Sequence, residues 1–140
     1  MDEVIFTYKK KRTVTDLIGQ FIDLVVARRI GSRSREFNIS RGGKMAIFAN
    51  DYIGIHINQY GFYDGFDLDM IFSFLTPILD DIKNGIALDI GANVGNHSIY
   101  FSKYFSSILA FEPHPRIFEL LSFNSKIVDN VMPYNFGLGD

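Results

Sequence analysis

From Val14 onward, apolar residues recur three or four positions apart: Val14, Leu17, Ile18, Phe21, Ile22 and Val25. That spacing predicts a helix over residues 13–30. Thr13 and Asp16 supply the two halves of a capping box, with Asp where Glu or Gln is usual. Arg28 and Arg29 fall in the last turn, where positive charge complements the helix dipole, and Gly31 stands where a helix stops. The apolar stripe is expected to pack on the main domain. The polar stretch 31–44 reads as a loop. Apolar and aromatic runs at 44–49 and 52–58 flank Asn50-Asp51 and predict the two strands of a β-hairpin. After the turn signal Asp64-Gly65, helical spacing returns with Leu68, Ile71, Phe72 and Leu75. It ends near Thr76-Pro77, since a residue before proline is pushed out of the α region. A further helical turn is expected over 77–83.

The character changes at Gly85. Ile86-Ala87-Leu88-Asp89-Ile90 is a short, nearly continuous apolar run entering a glycine-rich turn, as a buried parallel strand would be. A helix over 96–104, a strand over 108–111, a helix from Pro115 to between 124 and 128, and a strand over 131–136 complete the pattern. Strand–helix alternation of this kind implies βαβ units with parallel strands and right-handed crossovers. The chain therefore divides into residues 1–84, a helix, hairpin and helical cap region, and residues 85–140, an α/β region.

At 140 residues the chain fits one domain with an added element. Hydrophobic residues at 47% and charged residues at 21% are the balance of an ordered globular chain. A net charge of −2 argues against a general nucleic-acid binder, which would be basic. The absence of cysteine removes disulfides, thiolate metal sites and a Cys nucleophile together, and no metal site is expected. The acids Asp2 and Glu3 precede the basic run Lys9-Lys10-Lys11-Arg12, the reverse of a secretory signal. No apolar run approaches the roughly 20 residues a bilayer requires. A cytoplasmic protein is expected. The basic run and the following helix together allow an interfacial membrane helix, a reading that Asp16 and Asp23 oppose.

The chemistry concentrates at Asp89-Ile90-Gly91-Ala92-Asn93-Val94-Gly95-Asn96. A strand feeding a glycine turn and then a helix presents backbone N–H groups and a positive helix end to a ligand. A dinucleotide fold would need glycine at 93 and 96, where this chain has asparagine. Glu112 at the end of the second strand can accept both hydroxyls of a ribose, a position that suits dinucleotide folds equally. Of the three histidines, His97 beside the turn is the best candidate base, although a packing role is the plainer reading. His114 stands between two prolines at the edge of the same region, and His56 falls in the expected hairpin.

The turn resembles motif I of class I S-adenosylmethionine-dependent methyltransferases. More specifically, 88–98 (LDIGANVGNHS), Phe111-Glu112-Pro113-His114-Pro115, 118–124 (FELLSFN) and 137–140 (GLGD) resemble the FkbM family of O-methyltransferases. The likeness is sharp over 86–140, looser over 60–64 (YGFYD), and little before residue 45 compares. It implies a Rossmann-like fold and S-adenosylmethionine as cofactor. Asp89, Gly91, Ala92, Asn93, Gly95 and Asn96 would then serve its amino-acid end and ribose, Glu112 and Pro113 the ribose and the pocket edge, and Asp140 the adenine. Methyl transfer to a hydroxyl of a small molecule or glycan is the implied reaction. The enzyme would align donor and acceptor and assist loss of the hydroxyl proton.

That fold has seven strands in the order 3-2-1-4-5-7-6, of which only the first three, ordered 3-2-1, are expected here. The chain is thus expected to behave as an incomplete and inactive fragment with its first strand on an open edge. An apolar open edge invites pairing with another chain, so a homo-oligomer through that edge is anticipated. Two other readings stand beside the methyltransferase: a dinucleotide-binding protein, and a non-catalytic interaction module that pairs through the sheet edge.

Overall fold

The computed structural model describes residues 13–41 and 43–139. Its elements run α1 (Val14–Arg41), α2 (Tyr52–Tyr60), α3 (Gly65–Phe74), α4 (Leu79–Ile82), β1 (Ile86–Ile90), α5 (Asn96–Phe101), β2 (Ser107–Phe111), α6 (Pro115–Asn124) and β3 (Val131–Tyr134). The chain is an α/β protein whose one sheet among the described residues is three-stranded and wholly parallel, with β2 in the middle. Ile86 pairs with Ser107 and Ile90 with Phe111. On the other side of β2, Ile108 pairs with Val131 and Phe111 with Tyr134.

One face of the sheet is covered. Ile108, Ala110 and Val131 pack with Leu121 of α6 and Ala92 of the turn, and Phe101, Phe105 and Phe118 close over them. Ile108 and Leu121 are wholly buried, and each such side chain contributes about 1.5–3 kcal/mol. A second cluster, Leu68, Phe72 and Tyr100, joins α3 to the outer side of α5, with Phe72 stacked on Tyr104 at 3.8 Å between ring centroids. The opposite sheet face is bare along β1, where Ile86, Leu88 and Ile90 are 55–62% exposed. Parallel sheets are ordinarily covered on both faces.

Three expectations from the sequence are overturned. The first is the hairpin. Residues 44–48 have no regular structure and 52–60 form the helix α2. Asp51, read as a turn residue, caps that helix: its carboxylate accepts the Gly54 N–H. The alternation of Ile53, Ile55 and Ile57 imitated a strand, yet burial falls on Gly54, Ile57 and Gly61, which follows a helix period. The second is the loop at 31–44, through which α1 runs on to Arg41. Gly31 is no stop there because tertiary contacts hold the later turns. Phe37 lies so close against Gly61 that a Cβ there would stand 2.8 Å from its ring, and the φ of +91° likewise favours glycine. The buried Arg41 donates to the Gly61 carbonyl and to Asn38 Oδ1. Its guanidinium lies over the Phe62 ring, and burial lowers its pKa.

The third is the packing of the first helix. Its capping box forms as expected, with Thr13 N–H donating to Asp16 Oδ2 at 2.9 Å and Asp16 N–H to Thr13 Oγ1 at 3.2 Å. The stripe itself does not pack: Val14, Leu17, Ile18, Phe21, Ile22 and Val25 are all exposed. Only the second half of α1 meets the body. No helix of the described residues is long and apolar enough to cross a membrane.

Candidate functional site

The carboxyl ends of the three strands bring together the β1–α5 turn, the β2–α6 loop and the segment after β3. The turn owes its shape to three left-handed residues: Gly91 (φ +80°), Asn93 (φ +50°) and Gly95 (φ +86°). Asparagine is the non-glycine residue best suited to that region, and here Asn93 Oδ1 also accepts the Val94 N–H at 2.7 Å. The two glycines serve different ends. A Cβ on Gly95 would stand 2.9 Å from Leu121 Cδ1, so its bareness lets α5 start against α6. A Cβ on Gly91 would meet nothing within 4 Å, so its bareness leaves an open approach to the main chain. The Gly91 and Ala92 amides both donate to the Phe111 carbonyl at 2.9 Å, and Ala92 puts its methyl into the core beneath the turn.

Glu112 ties two of these segments together. Only 7% exposed, it accepts the Asn93 N–H on Oε2 at 3.1 Å and the His114 N–H on Oε1 at 2.8 Å. Its own N–H donates to the Tyr134 carbonyl at 3.0 Å, and Asn135 Nδ2 reaches its carbonyl at 2.9 Å. The third segment is thereby fastened to the same residue. Each carboxylate oxygen retains a second lone-pair direction for a ligand hydroxyl.

The remaining sequence-predicted residues take varied positions. Asp89 is buried at the end of β1 and accepts the Ser98 hydroxyl at 2.5 Å, which fixes α5 to the strand. Asn96, 3% exposed, spends both ends of its amide on Tyr63, accepting its N–H and donating to its carbonyl, each at 2.9 Å. Pro113 and His114 are exposed at the start of α6. His97 is half-buried on α5 with its ring stacked toward Phe101. His56 lies away on α2, among Tyr52, Tyr60 and Tyr63. Asp140 lies outside the described residues. Among the described residues no group of His, Asp or Glu could hold a metal ion.

Sequence reasoning missed Asn124. This wholly buried side chain accepts the Ala46 N–H at 2.7 Å and donates to the Ala46 and Val94 carbonyls at 2.8 and 2.7 Å. It pins the back of the turn to α6 and to the segment leading into α2. The available signal was its place three residues after Leu121, on the core face of an amphipathic helix, where a lone amide must be satisfied.

A cavity of about 650 Å³ opens on the other side of α5, walled by Tyr60, Phe62, Phe66, Asp67, Tyr100 and Lys103 among others. The Tyr100 hydroxyl donates to Asp69 at 2.5 Å, and the Lys103 ammonium lies 5.0 Å from the Phe62 and Tyr100 ring centres. Burial first, and that hydrogen bond second, push the Tyr100 pKa well above the ordinary tyrosine range. Comparison of the chain with protein-family models, with curated proteins and with solved structures returns no match.

Proposed function

We propose that the chain carries the cofactor-binding half of a Rossmann-like, class I methyltransferase of the FkbM type, with S-adenosylmethionine as its methyl donor. The observation that carries this reading is the meeting of the Gly91–Gly95 turn with the Glu112 carboxylate. A buried acid stands at the end of the strand next to a left-handed turn whose main chain is open at Gly91. Bound there, the sulfonium supplies an already activated methyl group. Glu112 accepts the ribose hydroxyls, and the bare Gly91 lets the main chain approach the methionine portion. Asp89 and Asn96 act as positioning residues, one through Ser98 and the other through Tyr63. Ala92 contributes backbone only. His97 is the side chain we assign as candidate base, taking the proton of an acceptor hydroxyl on a small molecule or glycan.

The test is calorimetric titration of the chain with S-adenosylhomocysteine, with NAD as competitor. Binding selective for the nucleoside sulfide, weakened at least tenfold by Glu112→Ala, is expected. A folded chain that prefers NAD, or that binds neither ligand, sinks the proposal.

A second reading rests on a different observation. The bare apolar face and unpaired edge of β1 would suit an interaction module that adds a strand from another chain. A defined oligomer without nucleoside binding, dissolved by Leu88→Lys, would favour it.

A further inference from the structure

The first half of α1 has no part in the site. At 3.6 residues per turn, Val14, Leu17, Ile18, Phe21 and Val25 fall within about 100° on one side of the helix. Ile30, Ser34, Phe37, Asn38 and Arg41, the partly or fully buried positions of the second half, fall within about 100° on the opposite side. The body therefore sits behind the helix and the apolar arc looks away from it. Val14 is 74% exposed and Phe21 66%. The exposed Ile39 continues the same arc, and so do Arg28 and Arg35, with Glu36 the one acid beside them. Asp16 and Asp23 fall on the body's side, so the objection they raised in the sequence does not touch the apolar face.

Charge is divided along the same line. Residues 1–41 hold nine Lys or Arg against five Asp or Glu, a net of +4, while residues 42–140 hold five against eleven, a net of −6. The basic run Lys9-Lys10-Lys11-Arg12 precedes the apolar arc, and Arg28, Arg29, Arg33 and Arg35 follow it. Pairing α1 with a second copy would set like charge together: in a parallel pair the 28–35 cluster meets itself, and in an antiparallel pair it meets the start of the helix, which the basic run 9–12 precedes in sequence. A flat anionic surface accepts both clusters and the arc between them, and leaves the acidic body on its far side.

We propose that α1 is an interfacial helix that seats this chain on an anionic lipid surface. Val14, Leu17, Ile18, Phe21 and Val25 enter the headgroup boundary, and the flanking basic residues meet lipid phosphates and carboxylates. The inference is independent of the cofactor reading.

The experiment is flotation of the full chain with two kinds of vesicle, phosphatidylcholine alone and phosphatidylcholine with about 30 mol % phosphatidylserine. Binding to the anionic vesicles alone is expected, falling as salt is raised because exposed charge is screened. Phe21→Asp should weaken it about tenfold or more, and the double reversal Arg28→Glu/Arg29→Glu by a similar factor. All three positions are exposed, so circular dichroism should be unchanged. The chain has no tryptophan, so Val25→Trp gives a single emission that should shift to the blue on anionic vesicles only. Absence of binding, equal binding to neutral vesicles, or Phe21-dependent dimers without lipid binding would each overturn the proposal.

Discussion

Adding one methyl group at each of two glycines separates what the turn does for the fold from what it does for a ligand. At Gly95 the φ of +86° is costly for alanine, about 1–2 kcal/mol. The new Cβ would also stand 2.9 Å from Leu121 Cδ1. Leu121 is fully buried and cannot swing aside, so overpacking adds about 1–3 kcal/mol. Gly95→Ala should therefore cost about 2–5 kcal/mol, a large share of the roughly 5–15 kcal/mol typical of a domain. At Gly91 the φ of +80° carries the same backbone cost, but the Cβ meets nothing. Gly91→Ala should cost only about 1–2 kcal/mol. If the open space at Gly91 is where a ligand's chain lies, that variant should also lose S-adenosylhomocysteine binding while still folded. Guanidinium unfolding followed by circular dichroism gives the two stabilities, and calorimetry gives the binding. Equal destabilisation by the two substitutions would refute the packing argument. Undiminished binding by Gly91→Ala would refute the assignment of the open side to a ligand.

Other predictions follow from single contacts. Asn124→Ala removes three hydrogen bonds and strands the Ala46 amide and the Ala46 and Val94 carbonyls, and should cost about 2–4 kcal/mol in the same unfolding assay. Tyr100 holds its proton more tightly folded than unfolded, so its contribution is fully present below about pH 10 and drains away as pH rises above it. Tyr100→Phe should flatten that part of the stability profile, and a wild-type profile no steeper than the variant's would contradict the assignment. Ser98→Ala leaves the buried Asp89 carboxylate without its hydroxyl donor and should lower the stability by about 1–3 kcal/mol, readable in the same curves.

The parallel β1–β2–β3 order, the turn and the helix after it were legible because each rests on local chemistry. A continuous apolar run, two glycines at fixed offsets and a proline at the head of α6 suffice. The amino-terminal region was not, because its signals are ambiguous until tertiary contacts are known. Asn50-Asp51 is as good a hairpin turn as a helix cap, and Ile53, Ile55 and Ile57 alternate as a strand would, while the helix buries only Ile57 of the three. Gly31 reads as a helix stop only where nothing beyond it holds the helix, whereas Phe37 and Arg41 anchor it against Gly61. In the site, the acid and the glycines were visible from the sequence. The partners that hold the residues around them, Asn124 on Val94, Ser98 on Asp89 and the Tyr63 backbone on Asn96, were not, since those bonds join positions far apart in the chain or polar residues of no distinctive spacing.

The carboxylate of Glu112 has one further consequence. The amides of Asn93 and His114 belong to different loops, yet both donate to the same carboxylate, one to each oxygen. Their hydrogens should exchange with solvent in step, at a rate set by one opening event and not by the separate mobility of each loop. In an exchange experiment the two amides would report as a single clock, slowed together by any solute that settles on that acid.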